Sequence, residues 1–206
     1  MKNYLIGISG GSGAGKTTIV KSLVDHYENK TAVVELDSYY RDFSELTFDD
    51  RGKINFDHPE SFDNKMLKAH INLLLKNEKI KSPIYDYKKH KRKKISKTIC
   101  PNKLIFVEGT LIFYFEEIVK FMSLKIFIHA KEKVRFTRRL NRDIIYRART
   151  KESIHEQYHK TVKPMYNEYV RPLKAKADLI ISGESELTDN RNKIIREIDS
   201  MIKGNL

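Results

Sequence analysis

Short apolar runs alternate along the chain with stretches in which apolar residues recur every three or four positions, which predicts strands interleaved with helices. Tyr4, Leu5, Ile6 and Ile8 form the first run, a buried strand, and behind it Ile19, Val20, Leu23, Val24 and Tyr27 share one helical face. Residues 31–36 read as a second strand ending at Asp37, residues 104–108 as a third ending at Glu108, residues 124–128 as a fourth and residues 179–181 as a fifth. Residues 61–77 carry Phe62, Met66, Leu67, Ile71, Leu74 and Leu75 at helical spacing, and residues 189–203 do the same with Ile194, Ile195, Ile198, Met201 and Ile202. Two further helices, 131–146 and 153–169, lie between the last two strands, and Pro164 should kink or break the second. Alternation of this kind predicts a parallel sheet covered on both faces.

Two segments depart from the pattern. Residues 38–59 are polar and aromatic with little periodicity, so they read as loops and short turns; so long an irregular stretch in a compact domain is usually functional. Residues 79–99 place two strand-like runs, 80–84 and 93–99, around a basic aromatic tip, which predicts an inserted β-hairpin.

Between the first strand and the first helix, Gly10-Gly11-Ser12-Gly13-Ala14-Gly15-Lys16-Thr17 satisfies the G-x-x-x-x-G-K-[ST] pattern in the strand–loop–helix context that it requires. Glycines let successive N–H groups turn toward phosphate oxygens, and the helix N-terminus adds partial positive charge. Lys16 should reach the β- and γ-phosphates and the Thr17 hydroxyl should ligate Mg²⁺.

Composition narrows the class. A chain of 206 residues, 40% hydrophobic and 33% charged, suits one α/β domain spanning 1–206, with inserts at 79–99 and 138–163. No apolar run reaches the length of a membrane span and the start does not read as a signal peptide, so a soluble, cytoplasmic protein without a membrane partner is expected. The single cysteine, Cys100, excludes an internal disulfide and reads as a partly buried thiol. The net charge of +13 is dispersed; its densest cluster, residues 88–94, lacks any nucleic-acid-binding motif and reads as a solvated hairpin partly serving a phosphorylated ligand.

A phosphate loop alone allows a kinase, a GTPase switch or a nucleic-acid ATPase. No N-K-x-D sequence is present, and the D-x-x-G match at Asp49 to Gly52 lacks a preceding apolar strand, so a GTPase switch is disfavoured. Phosphoryl transfer to a hydroxyl needs charge neutralisation, a carboxylate at the acceptor and exclusion of water. The arginines at positions 138, 139, 142, 147 and 149 supply the first from a segment able to act as a lid; with Arg135, six arginines fall between positions 135 and 149. Asp37 is placed to accept the hydroxyl proton or hold Mg²⁺, and Glu108 to hold the metal's water shell.

Several blocks together resemble the uridine kinase (uridine–cytidine kinase) family of phosphate-loop nucleoside kinases. They are the loop from Gly7 to Thr18, Asp37-Ser38-Tyr39-Tyr40, the stretch from Asn55 to Asp63, Pro83-Ile84-Tyr85-Asp86-Tyr87 with His90 and Arg92, and Val107-Glu108-Gly109. Arg138-Arg139 with Arg142-Asp143, Gln157-Tyr158, Val162-Lys163-Pro164 and Ala177-Asp178 complete them. The resemblance implies a P-loop three-layer fold with a five-stranded, mostly parallel sheet, an inserted hairpin and an arginine-rich lid. It implies an ATP- and Mg²⁺-dependent kinase, with GTP an alternative donor, that phosphorylates the 5′-hydroxyl of uridine and cytidine in pyrimidine salvage.

Roles follow from the same resemblance. Asp37 would serve at the 5′-hydroxyl; Asp57 and Arg139, with Arg149 beside them and Gln157 near, would hold the sugar; Tyr40, Phe56, Tyr85 and His90 would form the base pocket. Gly10, Gly11, Ser12, Gly13, Ala14, Gly15, Lys16, Thr17 and Thr18 would bind the donor, Arg142 and Arg147 would reach its triphosphate, and Thr17, Glu108 and Asp37 would serve the metal. A homotetramer is implied as well. Alternatives are a related kinase acting on a sugar phosphate or pantothenate and, from another class, a nucleic-acid-binding ATPase. The chain departs from the family pattern at Ala148, where Arg147-Ala148-Arg149 replaces arginine-glycine-arginine, at His129 and at Thr110.

Overall fold

The computed structural model describes residues 2–204. Its centre is a sheet of five parallel strands in the order β2-β5-β1-β6-β7. These are β1 (Tyr4–Gly10), β2 (Thr31–Glu35), β5 (Leu104–Glu108), β6 (Met122–His129) and β7 (Leu179–Ser182). Side chains alternate between the faces, as a strand requires. Leu5, Ile105, Val107 and Phe127 face one apolar cluster with Leu67, Ile71 and Leu74 of α3 (Asn64–Leu75). Ile6, Ile8, Phe106, Ile126 and Ile128 face a second, completed by Ile19, Val20 and Leu23 of α1 (Lys16–Tyr27) and by Ile194 and Ile198 of α8 (Leu187–Lys203). Burial on both faces explains why β1 and β5 read as continuous apolar runs.

The hairpin pairs β3 (Ile80–Asp86) with β4 (Lys91–Ile99) as a separate antiparallel ribbon, with a register shift between Pro83 and Tyr85. Both strands reach closer to the tip than the apolar runs alone suggested. Cys100, read as partly buried, is exposed at the end of β4.

Three further expectations change. Strand β2 stops at Glu35, and Asp37 lies in the 3₁₀ turn Leu36–Tyr39 that follows. The irregular segment 38–59 contains α2 (Phe48–Lys53), whose Thr47 cap accepts from Asp50 N at 3.2 Å. That helix has one apolar residue in its first turn and shows no periodicity to detect, and it contains the D-x-x-G match. Pro164 does not break its helix. Helix α6 (Lys151–Gln157) runs into a π-helical stretch, Tyr158–Val162, then α7 (Lys163–Met165), then a second π-helical stretch, Tyr166–Val170. The wider π turns flank the proline, which sits in the three-residue α segment between them.

The short α4 (Glu116–Val119) leads into β6, and α5 (Glu132–Arg147) carries the arginines. Asp37, Glu108 and the phosphate loop all lie at the carboxyl ends of three adjacent strands, β2, β5 and β1, the rim at which open α/β sheets bind ligands. Among the described residues no helix is long and apolar enough to cross a membrane.

Candidate active site

The loop between β1 and α1 is shaped by close backbone approach. Gly13 has φ +79°, and a Cβ there would stand 2.2 Å from the Arg135 carbonyl oxygen. Lys16 Nζ donates to the carbonyls of Gly10 (2.9 Å) and Gly11 (3.2 Å), which holds the ammonium inside the loop. Burial pushes its pKa down while Glu108 and Asp37 pull it back up. Thr17 Oγ1 donates to Glu108 Oε2 at 3.2 Å. Parallel pairing sets Glu108 beside Ile8 of β1 and Glu35 of β2, so its carboxyl is buried at the rim. Burial raises its pKa to about 7, against the opposing pull of Lys16 and Thr17.

Two adjoining cavities open on this rim. One runs past Lys16, Thr17 and Glu108. The other is enclosed by Tyr40, Phe56, Asp57, Tyr85 and His90 on one side and by Arg139, Arg149 and Gln157 on the other. Ser12, Asp37, Tyr87, Thr110, Arg142 and Arg147 border both. Asp37 therefore stands where the two spaces meet.

The aromatic wall is built by edge and face contacts. Tyr40 stacks on Phe62 with centroids 4.5 Å apart and meets Tyr85 at 5.0 Å, while Phe56 stacks on His90 at 5.5 Å with ring planes 14° apart. His90 ends the hairpin turn at φ 48°. Arg51, itself buried, donates to the carbonyls of Lys89 and Leu46 and ties this turn to the preceding segment. Arg92 donates to the Tyr40 carbonyl at 2.7 Å and pairs with Asp63, the residue that caps α3. The buried Tyr85 hydroxyl has no hydrogen-bond partner among the described residues, a polar atom left for something that enters the cavity.

The opposite wall is cationic. Arg139 donates to Ser12 Oγ (3.1 Å) and to Gln157 Oε1 (2.9 Å), and Arg149 also donates to Gln157 Oε1. Arg142 Nη2 reaches Ser12 Oγ at 3.5 Å. Arg139 and Arg147 lower the pKa of Asp57, but burial dominates and leaves it raised.

Every residue to which the resemblance assigns a site role borders one of these spaces or belongs to the loop, with Thr18 facing a third cavity. That cavity, lined by Gly15, Thr18, Arg138, Gly183 and Asn190, was not expected. Its walls come from three distant parts of the chain; the available signal was Gly183, which follows strand β7 on the same rim. Tyr87 was also unassigned, although it stands two residues beyond Tyr85 on the hairpin. Arg135, outside the expected lid, packs behind the loop, its guanidinium 3.7 Å from the Tyr166 ring centroid.

Residues 5–188 match the Phosphoribulokinase / Uridine kinase family. The chain belongs to that family. It is 41% identical over 186 residues to a uridine kinase of Listeria monocytogenes serotype 4a (strain HCC23), covering 90% of this chain and 89% of that one. It is 42% identical over 182 residues to a uridine kinase of Clostridium novyi (strain NT), covering 88% of each. Solved structures share the fold at lower identity. A putative fructose transport system kinase from Silicibacter sp. TM1040 superposes with a TM-score of 0.69 at 18% identity, covering 87% of this chain and 90% of that one. Phosphoribulokinase from Rhodobacter spheroides does so at 0.58 and 15%, covering 88% and 70%. This member of the phosphoribulokinase and uridine kinase family is thus a phosphotransferase built on the P-loop kinase fold.

Proposed function

We propose that this kinase transfers the γ-phosphoryl group of ATP to the 5′-hydroxyl of uridine, and of cytidine as well, and that residues 1–206 act as one kinase domain. The observation that carries this reading is the junction at Asp37, where an aromatic pocket of nucleoside character opens into the space above the phosphate loop. The names of the relatives agree with it.

The donor set fits a magnesium triphosphate. Lys16 offers an ammonium inside the loop, and Thr17 and Glu108 offer one hydroxyl and one carboxylate. Magnesium is commonly held by one or two protein carboxylates with substrate phosphates completing its shell. ATP would supply the phosphoryl group, and Mg²⁺ would offset its charge. The protein's share is positioning and electrostatics: Lys16, Arg142 and Arg147 face the phosphate space, and Asp37 orients the acceptor hydroxyl and takes its proton. Asp57, Arg139, Arg149 and Gln157 hold the ribose diol through charge-assisted contacts. Tyr40 and Phe56 pack on the pyrimidine, and His90 with the Tyr85 hydroxyl reads its polar edge. The cavity at Gly15, Thr18 and Gly183 takes the donor's base. Homotetramer assembly in the cytoplasm is part of the proposal; Ile95, Ile145 and Tyr146 offer exposed apolar side chains for contacts between copies.

A coupled ADP-release assay across uridine, cytidine, purine nucleosides and deoxyribonucleosides tests the reading. Turnover with uridine and cytidine is expected. Turnover with another acceptor and none with uridine would overturn it.

A further inference from the structure

One carboxylate lies inside the arginine wall, and the reading above gives it no role. Asp143 is fully buried on α5. Its Oδ1 accepts from Arg142 Nε at 2.8 Å and pairs with Arg142 Nη2 at 2.8 Å and with Arg147 Nε at 3.6 Å; its Oδ2 lies 3.5 Å from Arg139 Nε. Helix geometry explains two of these contacts, since Arg139 and Arg147 stand four residues to either side and share its face. Arg142, its immediate neighbour, folds back over it.

The same residue acts through its main chain. The Asp143 carbonyl accepts from Ala148 N, which ends α5, and from Arg149 N at 3.3 Å. That double contact turns the chain so that Arg149 comes back to Gln157 and to the Ser153 carbonyl. Burial by itself would push the Asp143 carboxyl up, yet the guanidiniums of Arg142, Arg139 and Arg147 together hold it below the usual carboxylate value. Its anionic form is therefore the one that the cluster selects.

All four arginines border the nucleoside cavity, and two of them also border the phosphate space. Without a central anion, three guanidiniums this close would repel one another and turn outward. We propose that Asp143 is the positioning residue of the site, a single anion that sets the directions of Arg139, Arg142 and Arg147 so that they converge on substrate before it binds. It touches no substrate itself. The assignment rests on the kinase reading given above, and it extends that reading from the groups that contact ligand to the one that orders them.

The test is a double-mutant cycle with two readouts. The first is calorimetric affinity for the β,γ-imido analogue of ATP with Mg²⁺, which needs no acceptor; the second is kcat with uridine, each per folded molecule. Misplacing binding groups by about 1 Å can cost on the order of 100-fold in rate, so Asp143→Asn should lower kcat by about that factor and weaken analogue binding about 10-fold. Residues acting as a unit give non-additive effects: in an Arg142→Gln, Arg147→Gln background, which removes the two arginines that border the phosphate space, the same substitution should weaken analogue binding less than about 3-fold. A full, additive loss in that background overturns the proposal, as does unchanged affinity and kcat in Asp143→Asn. If that variant does not fold, Asp143→Ser, which adds no bulk, enters the same cycle. Failure of both to fold assigns the residue to folding alone and overturns its positioning role. A wild-type chain that binds the analogue but phosphorylates no pyrimidine nucleoside sinks the proposed function, while the affinity cycle still decides the role of Asp143.

Discussion

The Arg147 guanidinium lies over the Tyr87 ring, 4.1 Å from its centroid, and so joins the hairpin tip to the end of α5. These are the two walls that face each other across the candidate nucleoside pocket, and they come from opposite halves of the chain. A partly desolvated cation–π contact of this kind contributes about 0.5–2 kcal/mol. Burial is the main cause of a raised Tyr87 pKa, with Asp37 next, so the phenol stays neutral beside that carboxylate.

Tyr87→Ala removes the ring that steadies Arg147 and should raise the uridine KM by about 5- to 10-fold, within the range that such a contact allows. Tyr87→Phe keeps the ring face and should stay within about 2-fold of wild type. Steady-state assays with uridine varied at saturating ATP separate the two. Equal effects of both variants would place the role in the hydroxyl and not in the stacking.

Asp37 borders both cavities, and the proposed function puts it at the reacting hydroxyl and not at the base, so its loss should fall on the chemical step. Asp37→Asn is expected to lower kcat by about 100-fold or more with a much smaller change in uridine affinity, the pattern of an interaction made mainly in the transition state. Single-turnover phosphoryl transfer together with equilibrium uridine binding checks the split. A normal kcat would remove Asp37 from the mechanism.

His90 gives a pH prediction with a definite sign. Burial, then the charges of Arg149, Arg51 and Arg147, depress its pKa below 6.5. The unfolded chain takes up this proton at higher pH than the folded one, so the contribution to stability is whole above 6.5 and is lost as pH falls below it. In the proposed function His90 reads the base as a neutral imidazole, so the uridine KM should hold steady from pH 8 to about 6.5 and rise at lower pH as the folded protein takes up this proton. His90→Ala should abolish that rise and weaken discrimination between pyrimidine and purine nucleosides, with ATP affinity unchanged. A KM profile that keeps its shape in the variant would assign the titration to another group.

What could be read in advance depended on how local the signal was. The β1, phosphate-loop and α1 unit was legible because the pattern, the strand and the helix are contiguous; β1, β5 and β6 were legible because burial on both faces leaves apolar runs, and the edge strands β2 and β7 because they are short β-branched and apolar stretches. Asp37 and Glu108 were legible as rim residues because each follows such a run. Helix α2 was not, because six residues stabilised by the Thr47 cap and by the tertiary contacts of Arg51 carry no period. The continuity of the helix through Pro164 was hidden for a related reason: π turns replace the 3.6-residue repeat on either side of it. The third cavity brings Gly15, Arg138 and Gly183 together from separate crossovers, so only the folded chain shows it. Which arginines of α5 face the site was not legible either, because residues on one helix point to different sides: Arg135 faces Ala130 and Tyr166 behind the loop.

Ala148 offers a test of stored backbone strain. It ends α5 at φ 53° and ψ 40°, the left-handed region, where the chain reverses to bring Arg149 toward Gln157. For a residue with a Cβ that conformation costs about 1–2 kcal/mol. Glycine removes the cost but adds freedom to the unfolded chain worth about 0.4–1 kcal/mol. The first effect is the larger, so Ala148→Gly should raise stability by about 0.5–1 kcal/mol, seen as a higher urea midpoint at unchanged slope. Glycine adopts the same angles, so the hydrogen bonds to the Asp143 carbonyl persist and kcat should stay within about 2-fold. Retained stability with a large fall in kcat would show instead that the methyl group limits the motion of Arg149, because the backbone angles alone would then have left its aim unaltered.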